Sequence, residues 1–300
     1  MAVTVVTETG ARPVRAGRRP PVAWVGTLPF LGYVALFLIL PTGIVVWNAF
    51  QVTTTKVVNG IPVTGAKHFD LGTFNQLFNA ANRGYFVNSI ELAGLTALAG
   101  AILGAVLTYA VATGSPNGVI RRIALAGSGV LAQFGGVTLA FAFFALINPS
   151  NGLLLHASWY YTFPWSIGLI YLYFQIPLMV LIFLPAVDGL KAQWREAAEN
   201  LGGSTWHYWR YVGGPLLLPP FLGALLLMFA NALSAFATIV AWDNQISFVV
   251  PQQISSDLIS EVGLFSVNGA DLLALGMVIL VALVMTGYAL LQRRTARWLR

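Results

Sequence analysis

The sequence IALAGSGVLAQFGGVTLAFAFFALINPSNGLLLHASWYYTFPWSIGLIYLYFQIPLMVLIFLPAV, residues 123–187, carries no charged side chain over 65 consecutive positions. A membrane-spanning helix needs about 20 apolar residues, so this stretch is too long for a single span. The segment Asn-Pro-Ser-Asn-Gly at 148–152 combines residues that favour turns and divides the stretch in two. We therefore predict two spans here, at 123–147 and 165–188.

Charge-free apolar runs elsewhere in the chain predict four further spans, at about 25–50, 87–113, 215–242 and 272–291. Of the 300 residues, 57% are hydrophobic and 9% are charged. A soluble domain carries roughly 25% charged residues, so this composition indicates that the chain is surrounded by lipid. The composition predicts an all-α, polytopic membrane protein with six transmembrane helices. Residues 1–22 are expected to form a flexible tail, and residues 23–300 the transmembrane domain.

The basic residues predict on which side of the membrane each connection lies. With both termini inside, thirteen of the 16 lysines and arginines fall on inner segments, and only Lys56, Lys67 and Arg83 fall on outer ones. Because Lys and Arg accumulate on the cytoplasmic side, we predict cytoplasmic termini in a multi-pass protein of the cell (inner or plasma) membrane. The first apolar run is longer than a signal-peptide core, so we expect it to remain as the first helix.

Several functional classes are disfavoured by what the sequence contains. It has no cysteine, and its three histidines are too widely separated to predict a metal site. The net charge of +6 belongs to residues that flank apolar runs, so nucleic-acid binding is not expected. None of the three lysines follows the glycine frame of a phosphate-binding loop. We therefore predict no catalytic residue, no metal and no cofactor bound by this chain.

The segment GLKAQWREAAENLGGSTWHYWRYVGG, residues 189–214, is the longest predicted inner connection and the only one of mixed charge. Good helix formers predict a short helix over 192–201. Gly202-Gly203 would end it, because glycine readily adopts the left-handed conformation that terminates helices.

A second short helix is expected over 206–212, capped by Ser204 or Thr205. Pro215 would then occupy the first turn of the fifth span, where its missing N–H costs little. The sequence thus predicts a helix–turn–helix elbow at the inner membrane surface.

Two interpretations of this elbow are open on the residues alone. Its tryptophans suit an amphipathic loop that lies in the membrane interface. Alternatively, the small side chains of Ala197 and Ala198 would let a soluble partner close on the backbone, with Glu196 as a fixed charge at the contact.

Glu196-Ala197-Ala198, with Gly202 six residues after Glu196 and Pro215 thirteen residues further on, resembles the "EAA" loop of ABC importer permeases. That family pattern reads E-A-A, three residues, glycine, and a proline near the start of the next helix. The resemblance implies that these five residues couple the membrane protein to an ATPase.

The sequence departs from the family pattern at two positions. Gly203 stands where alanine is usual, and Gly214 stands where leucine is usual, which would loosen the second half of the elbow. The resemblance extends from about residue 25 to 300. The stretches 133–147 and 274–300 are similar to the spermidine/putrescine-type group of type I importer permeases.

The resemblance also implies partners and a solute. The chain would pair with a second permease subunit, homologous or identical, and with a dimer of ABC ATPases that binds ATP and Mg. An extracytoplasmic substrate-binding protein would deliver the solute. A polyamine-like small organic cation is the first expectation, and thiamine, a phosphonate, an inorganic anion or a sugar are the alternatives.

Polar residues of the fifth span are candidates for the solute pathway. In one continuous helix, the three- and four-residue spacings of Asn231, Ser234 and Thr238 would place them on a single face. Small polar side chains in membrane helices also bond neighbouring helices together, so both roles are open.

The predicted outer segment 243–271 carries Asp243, Asp257, Glu261 and Asp271 and no basic residue, and Asp271 is also a candidate cap of the sixth helix. These carboxylates would attract a cation, although outer segments tend to lack Lys and Arg in any case. The outer loop 51–86 is a candidate docking element for a binding protein, without a motif to support it.

Two other functional classes compete with a permease subunit. A stand-alone secondary transporter would show inverted repeats or charges at mid-membrane, and neither is evident. An intramembrane enzyme would need paired acid–base groups, which Glu196 and Glu199 imitate only through their three-residue spacing.

Overall fold

A computed structural model describes residues 26–58, 61–115, 117–147, 165–242, 249–259 and 267–296. The predicted turn at 148–152 and the tail 1–22 lie outside these residues, as do Asp243 and Glu261. The helices are α1 (Leu28–Val34), α2 (Leu40–Ala49), α3 (Ala80–Ala112), α4 (Val119–Gln133), α5 (Gly136–Ile147), α6 (Trp165–Asp188), α7 (Ala192–Asn200), α8 (Thr205–Tyr208), α9 (Gly214–Ser234), α10 (Phe236–Trp242), α11 (Val250–Ile259) and α12 (Val267–Ala296). Strands β1 (Gln51–Val58) and β2 (Ile61–Phe69) and a 3₁₀ helix (Leu71–Phe78) lie between α2 and α3.

Within the described residues, five elements are long and apolar enough to cross a membrane. They are Leu28–Ala49, Asn82–Ala112, Trp165–Asp188, Thr205–Ser234 and Gly269–Leu290. The pair α4 and α5 makes a sixth if it is one broken span. The predicted all-α membrane fold is confirmed, with five spans, or six if α4 and α5 count as one broken span. The orientation stays a prediction.

The third predicted span, 123–147, is not one continuous helix. α4 and α5 meet at an angle of 99° across Phe134 and Gly135. Gly136 begins α5 with φ of 74°, a left-handed conformation that is natural for glycine and unfavourable for other residues. The prediction of one straight span was wrong because it rested only on the number of apolar residues. It did not consider that the Gly135-Gly136 pair can interrupt a helix.

The expectations for the second half of the elbow and for the fifth span were also wrong in detail. Instead of a separate short helix, α8 continues through a π-helical turn (Trp209–Gly213) directly into α9. The span therefore begins at Thr205, and Pro215 lies ten residues inside it. At its other end α9 stops at Ser234, so 215–242 is two helices with Ala235 between them.

The two π-helical turns of the described chain, Ala35–Ile39 and Trp209–Gly213, each end two residues before a proline. Leu40, which precedes Pro41, donates its N–H to the carbonyl of Ala35, and Gly214, which precedes Pro215, donates to Trp209. Proline has no N–H and crowds the carbonyl four residues back. A wider turn, bonded over five residues, relieves that crowding without ending the helix.

The β1–β2 hairpin was not predicted. Its strands are antiparallel, with Gln51 opposite Phe69 and Val58 opposite Ile61. The Phe69 ring lies 5.6 Å from that of Phe50, and Asp70 N–H donates to the Phe50 carbonyl at 2.9 Å. The β-branched run VTTTKVV at 52–58 was the available signal.

Chain contacts divide the protein into two compact units, Met1–Ile44 and Val45–Arg300. The described part of the first unit buries no residue, so its apolar side chains are suited to lipid. In the second unit, α3, α6 and α9 pack closely together around small residues of α3. These are Ala93, Ala97, Gly100, Ala101 and Gly104. Small residues let membrane helices approach closely enough for extensive van der Waals contact.

Replacing Gly104 with alanine is expected to destabilise the bundle by about 1–3 kcal/mol, the usual cost of overpacking. A β-carbon at Gly104 would lie 2.4 Å from Met179 Cβ and 2.9 Å from the Ile176 carbonyl oxygen of α6. Gly94→Ala, on the same helix, is the matched control, because its nearest neighbour would be Phe229 at 4.0 Å. Thermal unfolding in detergent measures both variants, and equal midpoints would contradict this account of the α3–α6 contact.

Candidate functional site

The first candidate site is α7, the first half of the elbow. None of its nine residues is buried, and Glu196 and Ala197 are exposed while Ala198 is half-buried. The neighbouring Leu201 is 89% exposed. An exposed helix with small residues and an apolar side chain at its end has the features of a docking surface.

Gly202 and Gly203 end α7 with a complete pair of terminal hydrogen bonds. The N–H of Gly203 donates to the carbonyl of Ala198 at 2.9 Å, and that of Gly202 donates to Glu199 at 2.9 Å. This is the Schellman arrangement, which needs a left-handed residue, and Gly202 has φ of 76°. The predicted helix stop thus lies where the glycine pair indicated.

The two glycines that depart from the resembled pattern occupy positions without room for a side chain. A β-carbon at Gly203 would lie 2.8 Å from the Ala198 carbonyl oxygen, and one at Gly214 would lie 2.6 Å from the Trp209 carbonyl oxygen. Both glycines therefore permit close backbone approach, one at the helix stop and one at the π-helical turn. Their effect is to tighten the second half of the elbow.

The two carboxylates of α7 differ in their surroundings. Glu199 accepts a hydrogen bond from Arg195 Nε at 2.9 Å, and this bond raises the pKa of the Arg195 guanidinium above its ordinary value. Glu196, among the described residues, has no ion-pair partner within 4 Å. Glu196 is therefore the carboxylate available to another molecule.

An aromatic contact attaches the elbow to the helical bundle. Tyr208 is buried, and the ring of Trp209 meets Tyr109 of α3 edge-on at 5.4 Å between centroids. Gly213 lies directly against Trp209, since a β-carbon there would come within 2.9 Å of its ring. A displacement of the elbow would therefore be transmitted to α3 and to α9.

The second candidate site is an open cavity of about 400 Å³ where the two broken spans meet. Its lining comprises Ala132, Gly135, Gly136, Phe174, Asn231, Ser234, Ala235, Phe236, Ala237 and Thr238. The predicted pathway residues Asn231, Ser234 and Thr238 are thus brought together. The reason given for their grouping was wrong, because the break at Ala235 removes the single helical face.

Hydrogen bonds join the two breaks that form this cavity. The N–H of Gly136, at the start of α5, donates to Thr238 Oγ1 at 3.0 Å. The hydroxyl of Tyr171, on α6, donates to the carbonyl of Ala235 at 2.7 Å. Ser234 Oγ bonds back to the carbonyl of Asn231 at 3.0 Å. Tyr171, Phe174 and Ala235 were not predicted from the sequence as residues of this site. Among the lining residues that were not predicted, only Gly135 and Gly136 could have been recognised, because a glycine pair indicates a break in a helix.

Of the predicted acidic residues, the structure describes Asp257 on α11 and Asp271 on α12. Asp257 does not line the cavity. It accepts a hydrogen bond from Gln253 at 2.7 Å, while partial burial raises its pKa above the ordinary value of an aspartate. Among the residues the structure describes, no three His, Cys, Asp or Glu side chains are grouped as metal ligands.

The structure is thus a bundle of apolar helices with an exposed helix between two spans and an open cavity where two spans are broken. The chain belongs to the family of binding-protein-dependent transport system inner membrane components, whose model matches residues 134–300. It is therefore the permease subunit of an ABC importer and not an enzyme, because ATP hydrolysis in such systems belongs to a separate subunit.

Solved structures share this fold. A bacterial ABC transporter involved in the import of the acidic polysaccharide alginate aligns with a TM-score of 0.66 and 16% identity, covering 92% of this chain and 95% of that chain. The same values hold for bacterial alginate ABC transporter in complex with alginate pentasaccharide-bound periplasmic protein, except that 94% of that chain is covered. The MetNI methionine ABC transporter, in an inward facing conformation, aligns with a TM-score of 0.54 and 14% identity, covering 73% of this chain and 98% of that chain. No curated protein matches the chain by sequence.

Proposed function

We propose that this permease forms half of a solute pathway and couples it through α7 to a cytoplasmic ABC ATPase. The observation that carries the proposal is the exposed α7, fixed at its end by the Gly202 stop and attached to the bundle through Trp209. Glu196, Ala197 and Ala198 make the contact, Gly202 sets the direction of the chain, and Pro215 lies in the first turn of α9, directly after the π-helical turn.

The coupling follows from the rigidity of these parts. ATP and Mg bind to the partner ATPase dimer, and closure of that dimer displaces the two elbows of a pair of permease subunits. Because α8, the π-helical turn and α9 are continuous, the displacement of the elbow moves the helix that carries Asn231 and Ser234. Two arrangements of a packed bundle, biased by nucleotide, are sufficient for alternating access.

Partners of this chain are inferred from its family and from the assemblies of similar proteins. The family is binding-protein-dependent, and one of the similar structures includes a periplasmic protein that carries a solute. The assembly proposed here contains this permease, a second permease that is homologous or identical, two ATPase subunits and an extracytoplasmic binding protein. Both termini and α7 lie in the cytoplasm, as the distribution of basic residues predicts.

The proposed solute is a small organic cation of the polyamine type. Asp257, with Asp243 and Glu261 outside the described residues, supplies negative charge on a segment that has no basic residue. The lining of the cavity itself has no charged residue within the described chain, and this observation favours an uncharged solute such as a sugar as the second candidate.

Titration of the partner binding protein with putrescine and with maltose, followed by intrinsic fluorescence, distinguishes the two solute classes. A cation carrier binds putrescine and ignores maltose. Saturable binding of maltose alone would exclude the polyamine assignment while leaving the ATPase coupling untouched.

Glu196→Gln is expected to lower ATP-dependent uptake while leaving the amount of protein in the membrane unchanged. A hydrogen bond to a charged group contributes about 1.5–3 kcal/mol, so loss of the carboxylate weakens the ATPase contact by about tenfold to a hundredfold. The measurement is uptake into vesicles that contain the complete transporter, together with co-purification of the ATPase.

Glu199→Gln is the matched control for this variant. Its carboxylate is on the same helix, but it is bonded to Arg195 in an exposed pair, and such pairs contribute little to stability. We expect Glu199→Gln to retain most of the uptake. Equal uptake by the two variants and the wild type would contradict a docking role for Glu196.

A further inference from the structure

We propose that Tyr171 is a positioning residue for the solute cavity, because its hydroxyl holds the break between α9 and α10 in place. The inference rests on the proposed function, since it concerns the cavity that we assign to the solute pathway. It adds a residue from α6, a helix whose contribution to the cavity lining is Phe174.

Tyr171 is fully buried, and its hydroxyl donates to the carbonyl of Ala235 at 2.7 Å. A buried tyrosine hydroxyl needs an acceptor, and many acceptors in a helical bundle are already used by the backbone. This hydroxyl reaches the residue that separates the two helices. The bond therefore connects the rigid core of the bundle to the interruption in the fifth span.

The break needs such a partner because it lies inside a membrane protein. Ala235 has φ of −75° and ψ of 82°, outside the helical region, and the last carbonyls of a helix have no intrahelical donor. In lipid, irregular backbone is tolerated only where protein groups or a water-filled cavity satisfy it. Tyr171 supplies one of these groups from the protein side.

The ring of Tyr171 makes a second link to the cavity. Its centroid lies 5.3 Å from that of Phe174, and Phe174 lines the cavity beside Ala235. A second hydrogen bond at the cavity joins Gly136 N–H to Thr238 Oγ1 at 3.0 Å. Two hydrogen bonds, one at each break, therefore join α10 to α5 and Ala235, the residue before α10, to α6.

Removal of the Tyr171 hydroxyl should let the Ala235 break shift and should open the cavity wall. The chain has no cysteine, so a thiol introduced by Ser234→Cys is a unique probe of that wall. The reagent is methanethiosulfonate ethylammonium, a small cation that reacts with thiols exposed to water. Its rate of reaction is measured on the full chain in membrane vesicles with its partner subunits.

In the S234C background, Tyr171→Phe is expected to raise the rate of modification about threefold to tenfold, as follows from the loss of one hydrogen bond. Thr238→Val, which removes the other bond at nearly constant volume, should raise the rate in the same way. Tyr173→Phe is the matched control, because Tyr173 lies on the same helix and its ring packs against Phe143, 5.8 Å away. That control should leave the rate unchanged.

Local and global effects are separated with a second thiol. Ala101 is fully buried in the second unit, so the thiol of A101C stays unmodified while the bundle is folded. Modification of A101C in the Tyr171→Phe chain would assign the bond to overall stability and overturn the positioning role. An unchanged S234C rate in Tyr171→Phe would overturn it as well. Neither result depends on uptake, so failure of the proposed ATPase coupling would be recognised separately through the Glu196 variant.

Discussion

The structure depends above all on the requirement that backbone N–H and C=O groups be satisfied without water in the hydrocarbon region. Most of the chain meets it with continuous helices. The exceptions are local and partnered: the π-helical turns keep the chain bonded before Pro41 and Pro215. At the first break the N–H of Gly136 donates to Thr238, and at the second the carbonyl of Ala235 accepts from Tyr171. The two breaks come together around an open cavity, the setting in which irregular backbone is tolerated inside a membrane protein.

The same need to pair backbone N–H and C=O groups determines the conformation of the elbow. Gly202 adopts the left-handed conformation, and its N–H and that of Gly203 satisfy carbonyls at the end of α7. The polypeptide then turns back into a helix that runs without interruption from Thr205 to Ser234. The continuous helix thus runs from the residues that follow the Gly202 stop to the wall of the cavity, and the contact between Trp209 and Tyr109 supports it on the bundle. This continuity gives a physical basis for coupling between a soluble partner and a pathway in the membrane.

Hydrophobic runs and charge-free windows were enough to predict the fold class and the spans, because the bilayer imposes a length and a composition on each helix. The helix stop at Gly202 was equally predictable from the glycine pair. The breaks were harder to foresee. Gly135-Gly136 carried a signal that an apolar count overlooks, whereas Ala235 is itself a strong helix former and stands in a segment without glycine or proline. Its conformation depends on tertiary contacts, including the hydroxyl of Tyr171, which only the folded structure brings near. The sequence also does not show that Gly203 and Gly214 lie against backbone carbonyl oxygens. Their departure from the family pattern was therefore wrongly interpreted as a loosening of the second half of the elbow.

The central claim is that α7 faces the cytoplasm, where an ATPase can reach it. The most direct measurement uses the absence of native cysteines: Gln193→Cys on the exposed α7 and Leu71→Cys at the exposed start of the 3₁₀ helix are each labelled with a membrane-impermeant maleimide. The account predicts that the α7 thiol reacts in inverted vesicles and not in intact cells, and that the Leu71→Cys thiol shows the reverse. Labelling of the α7 thiol from outside intact cells would contradict the account, because no cytoplasmic ATPase could then act on this helix.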